Sequence, residues 1–346
     1  MNHYPSNVKE KLNSIILSMA EHHWLFSKNP GHDFTRQHLG KLSFYDAMRL
    51  IISMGKGSTN DEIMDYFDLD PDLIPSQSAF CQRRRQISLS AFEYLFSEFS
   101  SSFPSTTDKF KDHCILACDG CHVVYATNSD IIEDYNKPRL IDYKGYNHMH
   151  LNGFVDVISK AFLDVVIQPG QQPDEREALH SMLDHFTPDD PQKYIITADR
   201  GYESYDLLFH CELKNLGYVF RVKSPSSPKS ILSYYASELP DDLEEFDVTI
   251  KRFFTDKTTN IMKSQSDVYR YINPSKNTPH FYELLRKNHS HLYFLQFRLV
   301  KIKTAGISKT GNLFPPDSVQ FRHFYRKRSG RRKPEKETGW QQQVSL

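Results

Sequence analysis

The chain has 346 residues, of which 39% are hydrophobic and 25% charged, and its mean hydropathy is −0.57. This composition is that of a soluble globular protein, and the length allows two or three domains. No apolar stretch reaches membrane-spanning length and no secretory pattern opens the chain, so the sequence predicts a cytoplasmic protein with no membrane partner. Five cysteines, three of them within residues 114–121, do not form a disulfide framework.

The net charge is zero, but it is unevenly distributed. From residue 301 to the end, 11 Lys and Arg residues stand against 3 Asp and Glu, which leaves 32 against 40 in the preceding part. An acidic body with a basic end indicates a polyanionic partner. Residues 307–346 have neither helical nor strand periodicity, so we expect a basic, disordered tail there.

Residues 1–108 are predicted to be helical, because apolar side chains recur at helical spacing. Thr59 and Glu62 form a candidate capping box for one of these helices. The expected helices cover residues 8–26, 44–54, 59–67 and 76–95.

An arginine cluster lies on the last of these helices, at Arg83, Arg84 and Arg85. Several short helices with such a cluster are typical of a DNA-binding bundle, in which the arginines contact backbone phosphates. The alternative is a solvated charge run on a packing helix. If the first interpretation holds, DNA binding resides mainly in this region and weakens steeply with salt.

Two short apolar runs each end on an aspartate, with a glycine close behind. Residues 114–118 precede Asp119, and residues 193–198 precede Asp199. Each run is typical of a buried strand, and a carboxylate at the end of such a strand is rigidly held and open to a ligand at the sheet edge. Taken singly, Asp119 could be a turn residue and Asp199 a helix cap. Taken together, they suggest two metal ligands on neighbouring strands, within one metal-site width of each other.

The elements around these aspartates alternate between strands and helices. This order predicts an α/β fold, with helices covering a mixed sheet, over residues 109–223. Residues 224–306 contain three further strand-like pieces and are expected to form a β-rich insertion. The expected core elements are strands at 114–118, 150–157 and 162–167, a helix at 174–186, a strand at 193–198, a helix ending at 216, and a strand at 218–222.

Other chemistries fit single pieces of this pattern. Residues 118–122 match the C-x-x-C-H motif of covalent haem attachment, but that reaction requires export and no export signal is present. Haloacid-dehalogenase-type phosphatases need a second Asp at the position of Cys121. A zinc site at Cys114, Cys118, Cys121 and His122 is disfavoured, because side chains alternate between the faces of a strand.

With both aspartates assigned, residues 30–303 resemble the bacterial DDE transposases of insertion-sequence family four. The resemblance rests on residues 118–120, 145–169 and 199–202, in that order and at that spacing. It implies a ribonuclease-H-like core, with the first Asp on the first strand and the second after the fourth strand. It also implies cut-and-paste transposition of an insertion sequence, by metal-dependent DNA cleavage and strand transfer.

The same resemblance implies a cofactor and partners. Mg²⁺ or Mn²⁺ would be bound by Asp119 and Asp199, and the partner would be double-stranded DNA at transposon ends and target sites. A homodimer is expected on DNA. Arg200, Tyr202 and His150 could contact the DNA backbone near the metal ions, while a salt bridge or a packed aromatic ring is the alternative for each.

The closing signature of this family departs from the pattern. That signature is Tyr, two residues, Arg, three residues, Glu, six residues, Lys. Tyr325 and Arg328 fit its start, but Arg332 stands at the Glu position, and Gly330 and Pro334 oppose the helix that would carry an acid.

The missing acid predicts a chain that binds DNA without cleaving it, as a frameshifted or truncated copy would. The alternative function is a non-catalytic DNA-binding remnant that acts as a repressor or an inhibitory partner. The enzyme interpretation requires an acid that reaches the aspartate pair, and the sequence offers Glu283, Glu335 and Glu337 as candidates.

Overall fold

The computed structural model describes residues 4–35, 41–102, 109–137, 145–227, 230–240, 245–273, 275 and 278–301. The predicted tail and the closing signature therefore lie outside the described residues. The chain divides into two compact units, Met1–Thr107 and Asp108–Leu346. Within the described ranges, no helix combines the length and the apolar character needed to cross a lipid bilayer.

The first unit is helical and has its own apolar core. Serine side chains begin three of its helices, because Ser43, Ser58 and Ser76 each accept a hydrogen bond from the backbone N–H three residues ahead. Phe80 and Met48 are fully buried in the core. The helices are α1 (Tyr4–Glu21), α2 (Phe44–Ser53), α3 (Thr59–Tyr66), α4 (Gln77–Gln86) and α5 (Leu89–Ser101), with a short 3₁₀ helix at His23–Leu25.

Two details of this unit differ from the sequence prediction. The helix expected over residues 76–95 is interrupted at Ile87, which pairs with Ser27 in an isolated β-bridge and so leaves the helical path. The N-cap of α3 is Ser58 and not Thr59, while the Glu62 carboxylate accepts the backbone N–H groups of Gly55 and Gly57. In both cases a neighbouring polar or backbone group satisfies the backbone better than the predicted one.

The second unit contains a mixed six-stranded sheet, as the α/β prediction expects. Its order is β2-β3-β1-β5-β6, with β4 paired to β3. The central strand β1 is antiparallel to β3 and parallel to β5. The strands are β1 (Cys114–Tyr125), β2 (Tyr135–Asn136), β3 (Tyr146–Asp156), β4 (Phe162–Pro169), β5 (Tyr194–Ala198) and β6 (Gly217–Phe220).

Strand β1 is longer than predicted. The sequence suggests an end at Asp119, but the strand continues to Tyr125 because its backbone stays paired with β3 as far as Asn147. Side chains beyond Cys118 are mostly exposed, so no apolar pattern marks this half of the strand. Asp119 therefore lies inside a strand, and the interpretation as a turn residue is wrong.

Two helices, α6 (Glu175–His185) and α7 (Tyr205–Leu213), pack against this sheet. The helix expected over residues 174–186 is present as α6, and its apolar side chains Leu179, Met182 and Leu183 are fully buried. They meet buried side chains of three strands at Leu116, Phe154 and Ile196.

The first turn of α6 is capped by Asp174. Its carboxylate accepts the backbone N–H groups of Arg176 and Glu177, both at 3.1 Å. We expect Asp174→Ala to lower the free energy of unfolding by about 1 kcal/mol, since those two N–H groups lose their acceptor. Urea unfolding of the full chain measures this change, with the exposed Asp189→Ala as the matched control. Equal effects of the two substitutions would contradict the capping role.

A second, three-stranded sheet has the order β8-β7-β9. It is tied to the first through Asp206 of α7, which is 2% exposed. This carboxylate accepts the backbone N–H groups of His280 and Phe281 at 3.1 Å each. It therefore caps the N-terminus of the helix Pro279–Lys287. The elements are β7 (Phe246–Thr255), β8 (Tyr269–Tyr271), β9 (Leu292–Lys301), α8 (Asn260–Ser264), α9 (Pro279–Lys287) and a 3₁₀ helix at Ile231–Glu238.

Candidate active site

The two candidate aspartates lie on neighbouring parallel strands. Cys118 of β1 and Ala198 of β5 are the last paired residues, and Asp119 and Asp199 follow them directly. Both aspartates are exposed. Because parallel neighbours in a sheet are about 4.8 Å apart, this register brings both residues to the same part of the sheet.

Asp199 also caps a short 3₁₀ helix at Arg200–Tyr202. Its Oδ1 accepts the Gly201 N–H at 2.6 Å. The helix-cap alternative suggested by the sequence is therefore present in the structure. It engages one carboxylate oxygen, and Oδ2 takes no part in this bond.

A third carboxylate, which the sequence analysis does not propose, approaches Asp199 from the first residue of α6. A Cβ placed on Gly201 would lie 2.8 Å from Glu175 Oε2 and 3.0 Å from Asp199 Oδ1. The distance between Glu175 Oε2 and Asp199 Oδ1 is therefore no greater than the sum of these two distances. Glu175 is held there by the packing of α6 and by Arg176, whose Nε donates to the Gly201 carbonyl at 3.3 Å.

Buried polar atoms beside Glu175 and Asp119 lack hydrogen-bond partners among the described residues. They are both ring nitrogens of His150 and Oδ1 of Asn152. His150 Nε2 lies 3.5 Å from Glu175 Oε1, and the side chains of His150 and Asn152 occupy the space that a Cβ on Gly120 would need. Buried polar atoms are normally satisfied, so this group is a candidate ligand-binding environment.

The carboxylates act electrostatically on two buried groups. Burial raises the pKa of the Cys118 thiol to about 12, and the negative charges of Asp119 and Glu175 add to this effect. Burial, and then Cys118 with the same two carboxylates, raises the pKa of the Tyr202 hydroxyl. Cys118 and Tyr202 therefore stay neutral at pH 7.

A cavity of about 670 Å³ opens beside this group. Its wall includes Glu175, His150 and Gly201, together with His180, Asp206 and His280. Acidic side chains and imidazoles dominate this wall, so it is suited to a cation or to a ligand that carries one.

The predicted DNA contacts near the aspartates fall into two groups. Arg200 is exposed and can reach a phosphate. Tyr202 is 0% exposed and packs in the core, so the packed-aromatic alternative describes it and a direct DNA contact does not. His150 is 3% exposed and faces Glu175, a position from which it can orient a carboxylate.

The arginine cluster of the first unit is also divided. Arg83 is 9% exposed, and its guanidinium donates to Gln86 Oε1 at 3.0 Å and lies 5.0 Å from the ring centre of Phe34. This arginine therefore has a packing role. Arg84 and Arg85 are exposed and remain available to a polyanion.

Sequence reasoning also misses three histidines that meet beside the cavity. His180, His210 and His280 come from α6, α7 and α9 and form a stack of nearly parallel rings. Burial lowers the pKa of His180 to about 4 and that of His210 to about 2, and nearby His280 adds to both shifts. These histidines are too far apart in the sequence to form a recognisable motif. The only signal in the sequence is that each lies beside the apolar residues of a helix. Glu175 is hidden in a similar way, because it is one of three acids at the start of α6, with Asp174 and Glu177.

Known proteins supply an independent comparison. No curated protein matches the chain. A solved structure with similarity is the cryo-EM structure of a piggyBac transposase synaptic complex with hairpin DNA, at 11% identity and a TM-score of 0.34. The similar region covers 59% of this chain and 44% of that one, so the chain spans less than half of that structure's length.

A family model gives the more extensive match. The model of the transposase DDE domain matches residues 110–330, which is more than half of the 346 residues. The matched segment contains both aspartate strands, Glu175 and the cavity beside them. The chain therefore belongs to the family of transposases with a DDE domain.

Proposed function

We propose that this chain cleaves DNA at transposon ends and joins it to a target in cut-and-paste transposition, as a bacterial insertion-sequence transposase of family four. The topology supports a ribonuclease-H-like core. Among the five long strands of the larger sheet, Asp119 lies on the first and Asp199 follows the fourth, β5. The first-to-fourth pairing is parallel, so both acids reach one part of the sheet.

The observation that carries the proposal is the position of Glu175. The sequence predicts an inactive chain because Arg332 replaces the expected acid. Glu175 supplies a further carboxylate beside Asp199, from an ordered helix that needs no contribution from the residues after Lys301. A set of Asp and Glu oxygens is the donor type that Mg²⁺ and Mn²⁺ prefer, and the unpartnered atoms of His150 and Asn152 fit a site that binds a ligand.

Each residue of the site would have its own role in DNA cleavage and strand transfer. Asp119 and Asp199 would hold the divalent ions, which when bound would polarise the phosphodiester and favour deprotonation of the attacking water in cleavage or of the attacking 3′-hydroxyl in strand transfer. Glu175 adds negative charge next to Asp199, and the His150 ring lies 3.5 Å from that carboxylate. Arg200, exposed beside Asp199, would bind a backbone phosphate and position the strand for in-line attack.

A nicking assay tests this proposal. Purified full-length protein should convert supercoiled plasmid that carries the transposon ends to the nicked form with Mg²⁺ or Mn²⁺, and Asp119→Asn should remove this activity. This substitution keeps the side-chain size and removes the negative charge that the metal ions require. Nicking that survives in Asp119→Asn, or its absence from the wild-type protein with both ions, would refute the catalytic assignment.

The second candidate is a non-catalytic DNA-binding remnant that represses transposition or inhibits an intact enzyme by forming dimers with it. Arg332 at the position of the expected acid favours this function. It predicts DNA binding and dimer formation on DNA without nicking, so the same assay distinguishes it from the enzyme.

We expect DNA binding to depend on Arg84 and Arg85, whose guanidinium groups would bind phosphates. Replacing both by Ala should weaken binding, and the slope of log affinity against log salt should fall by about one for each phosphate that is no longer neutralised. Fluorescence anisotropy of the full chain at several salt concentrations measures this slope. Lys9→Ala, which removes an exposed charge from α1, is the matched control. An unchanged slope in the double variant would mean that these arginines are only a solvated surface.

A further inference from the structure

Three helices of the second unit bring one imidazole each to a single point. One ring nitrogen from each of His180, His210 and His280 lies within 4.8 Å of those of the other two. His180 Nδ1 and His210 Nδ1 are 2.9 Å apart and share a hydrogen bond. The ring centres of His210 and His280 are 3.8 Å apart.

A carboxylate oxygen lies near one ring nitrogen of each imidazole. Asp206 Oδ2 lies 2.6 Å from His280 Nδ1 and 3.7 Å from His180 Nε2. Asp184 Oδ1 lies 3.2 Å from His210 Nε2. One nitrogen of each ring is left for another ligand, and carboxylates fix the tautomer and the orientation of metal-bound histidines in the same way.

From this arrangement we propose that His180, His210 and His280 bind a single transition-metal ion of the Zn²⁺ class. Neutral imidazole nitrogen suits such ions better than it suits Mg²⁺, which prefers oxygen. Four-coordinate zinc with bonds of roughly 2.0–2.1 Å needs ligand atoms about 3.3 Å apart. The distance of 2.9 Å between the Nδ1 atoms of His180 and His210 and the upper limit of 4.8 Å for all three pairs bracket this value. Because the three rings are nearly parallel and imidazole lone pairs lie in the ring plane, metal binding requires the rings to rotate out of the stack.

The surroundings favour a cation. Asp206 is 2% exposed, and together with Asp184 it places two carboxylates next to three imidazoles. His180 and His280 line the cavity of about 670 Å³, which gives an ion a path from solvent and leaves a fourth coordination position for water. This site would be distinct from the carboxylate site, because its donors are nitrogens and it contains neither Asp119 nor Asp199.

An ion at this point would join three elements. His180 lies on α6 and His210 on α7, both packed on the larger sheet, whereas His280 lies in the first turn of α9, which packs on the smaller sheet. Metal binding would therefore stabilise the attachment of the two sheets to each other, since it favours only the folded arrangement. The competing explanation is a metal-free stack held by its hydrogen bonds.

Zinc binding to the full chain tests the proposal. Protein treated with chelator and then dialysed should bind one Zn²⁺ per chain by calorimetry, with a rise in Tm. Co²⁺ should give the visible absorption of tetrahedral nitrogen ligation. Both results should persist in Asp199→Ala, which separates this site from the carboxylate site.

Substitutions assign the ligands. His280→Gln should remove the stoichiometric binding. Asp184→Asn, on a side chain that is 63% exposed, should weaken it about tenfold without affecting folding. His185→Gln replaces an exposed histidine of α6, the helix that also carries Asp184, and should leave Zn²⁺ binding unchanged. Absence of Zn²⁺ binding in the wild-type protein, or binding unchanged by both His280→Gln and Asp184→Asn, would overturn the proposal in favour of the metal-free stack.

Discussion

Replacing Glu175 by glutamine is expected to reduce metal-dependent DNA nicking by about a hundredfold or more, while DNA binding stays unchanged. The substitution keeps the size of the side chain and its place at the start of α6, but removes the charge beside Asp199. Loss of a metal-orienting group alone costs about 10- to 100-fold, and loss of a charge at the site adds to this. Mn²⁺ affinity, measured by electron paramagnetic resonance, should fall in parallel.

The matched control is Glu177→Gln. Glu177 lies within one turn of Glu175 on the same helix and is exposed, and its backbone N–H, not its carboxylate, serves the helix cap. We expect this variant to nick DNA and to bind Mn²⁺ as the wild-type protein does. Equal activity in Glu175→Gln and Glu177→Gln would exclude Glu175 from the site and direct the search for the third acid to the residues after Lys301.

The metal-free protein is expected to lose stability as the pH falls from about 7 towards 5. His180 and His210 have folded-state pKa values of about 4 and about 2, below the ordinary value of 6.5 that applies to the unfolded chain. Between pH 7 and 5 these two histidines are therefore protonated in the unfolded state but not in the folded state. The stability that is present above pH 6.5 is lost on acidification. For His180 alone, the shift corresponds to about 3 kcal/mol at full protonation.

Neighbouring charges decide how far this shift extends. Burial is the main cause for both rings; His280 lowers both pKa values further, and Lys214 lowers that of His210. Asp206, Asp184 and Asp174 act in the opposite direction on the pKa of His180. The balance favours the neutral rings, because burial outweighs the three carboxylates.

Urea midpoints measured in EDTA between pH 7.5 and 5 test this expectation. His180→Gln removes one of the two titrating rings and should flatten the pH dependence. His185→Gln removes an exposed ring and should leave it unchanged. Constant midpoints over this range in the wild-type protein would mean that the folded and unfolded states bind the same number of protons, so that the pKa values of His180 and His210 are not lowered by folding.

Much of the α/β core follows from local pattern. The stripe of Leu179, Met182 and Leu183 predicts α6, and the run before Asp199 predicts β5, because both bury apolar residues at a regular period. The second half of β1 has no such period. It is a strand only because β3 offers a paired backbone, and such long-range pairing leaves no local trace in the side chains.

The same distinction between local pattern and long-range packing applies to the candidate site. Asp119 and Asp199 can be found because each follows a buried run, whereas Glu175 is one of several acids at a helix start. Its nearness to Asp199 arises from the packing of α6 on the sheet. His180, His210 and His280 lie up to 100 positions apart, and only the folded arrangement of three helices brings them together.

The carboxylate of Asp206 has a mechanical consequence. Apolar layers can slide over one another at little cost, but Asp206 fixes α9 to α7 by hydrogen bonds to two backbone N–H groups and to the His280 ring. Helix α7 begins shortly after the turn that carries Asp199. Separating the smaller sheet from α7, and so from the turn that carries Asp199, would therefore require all three of these hydrogen bonds to break.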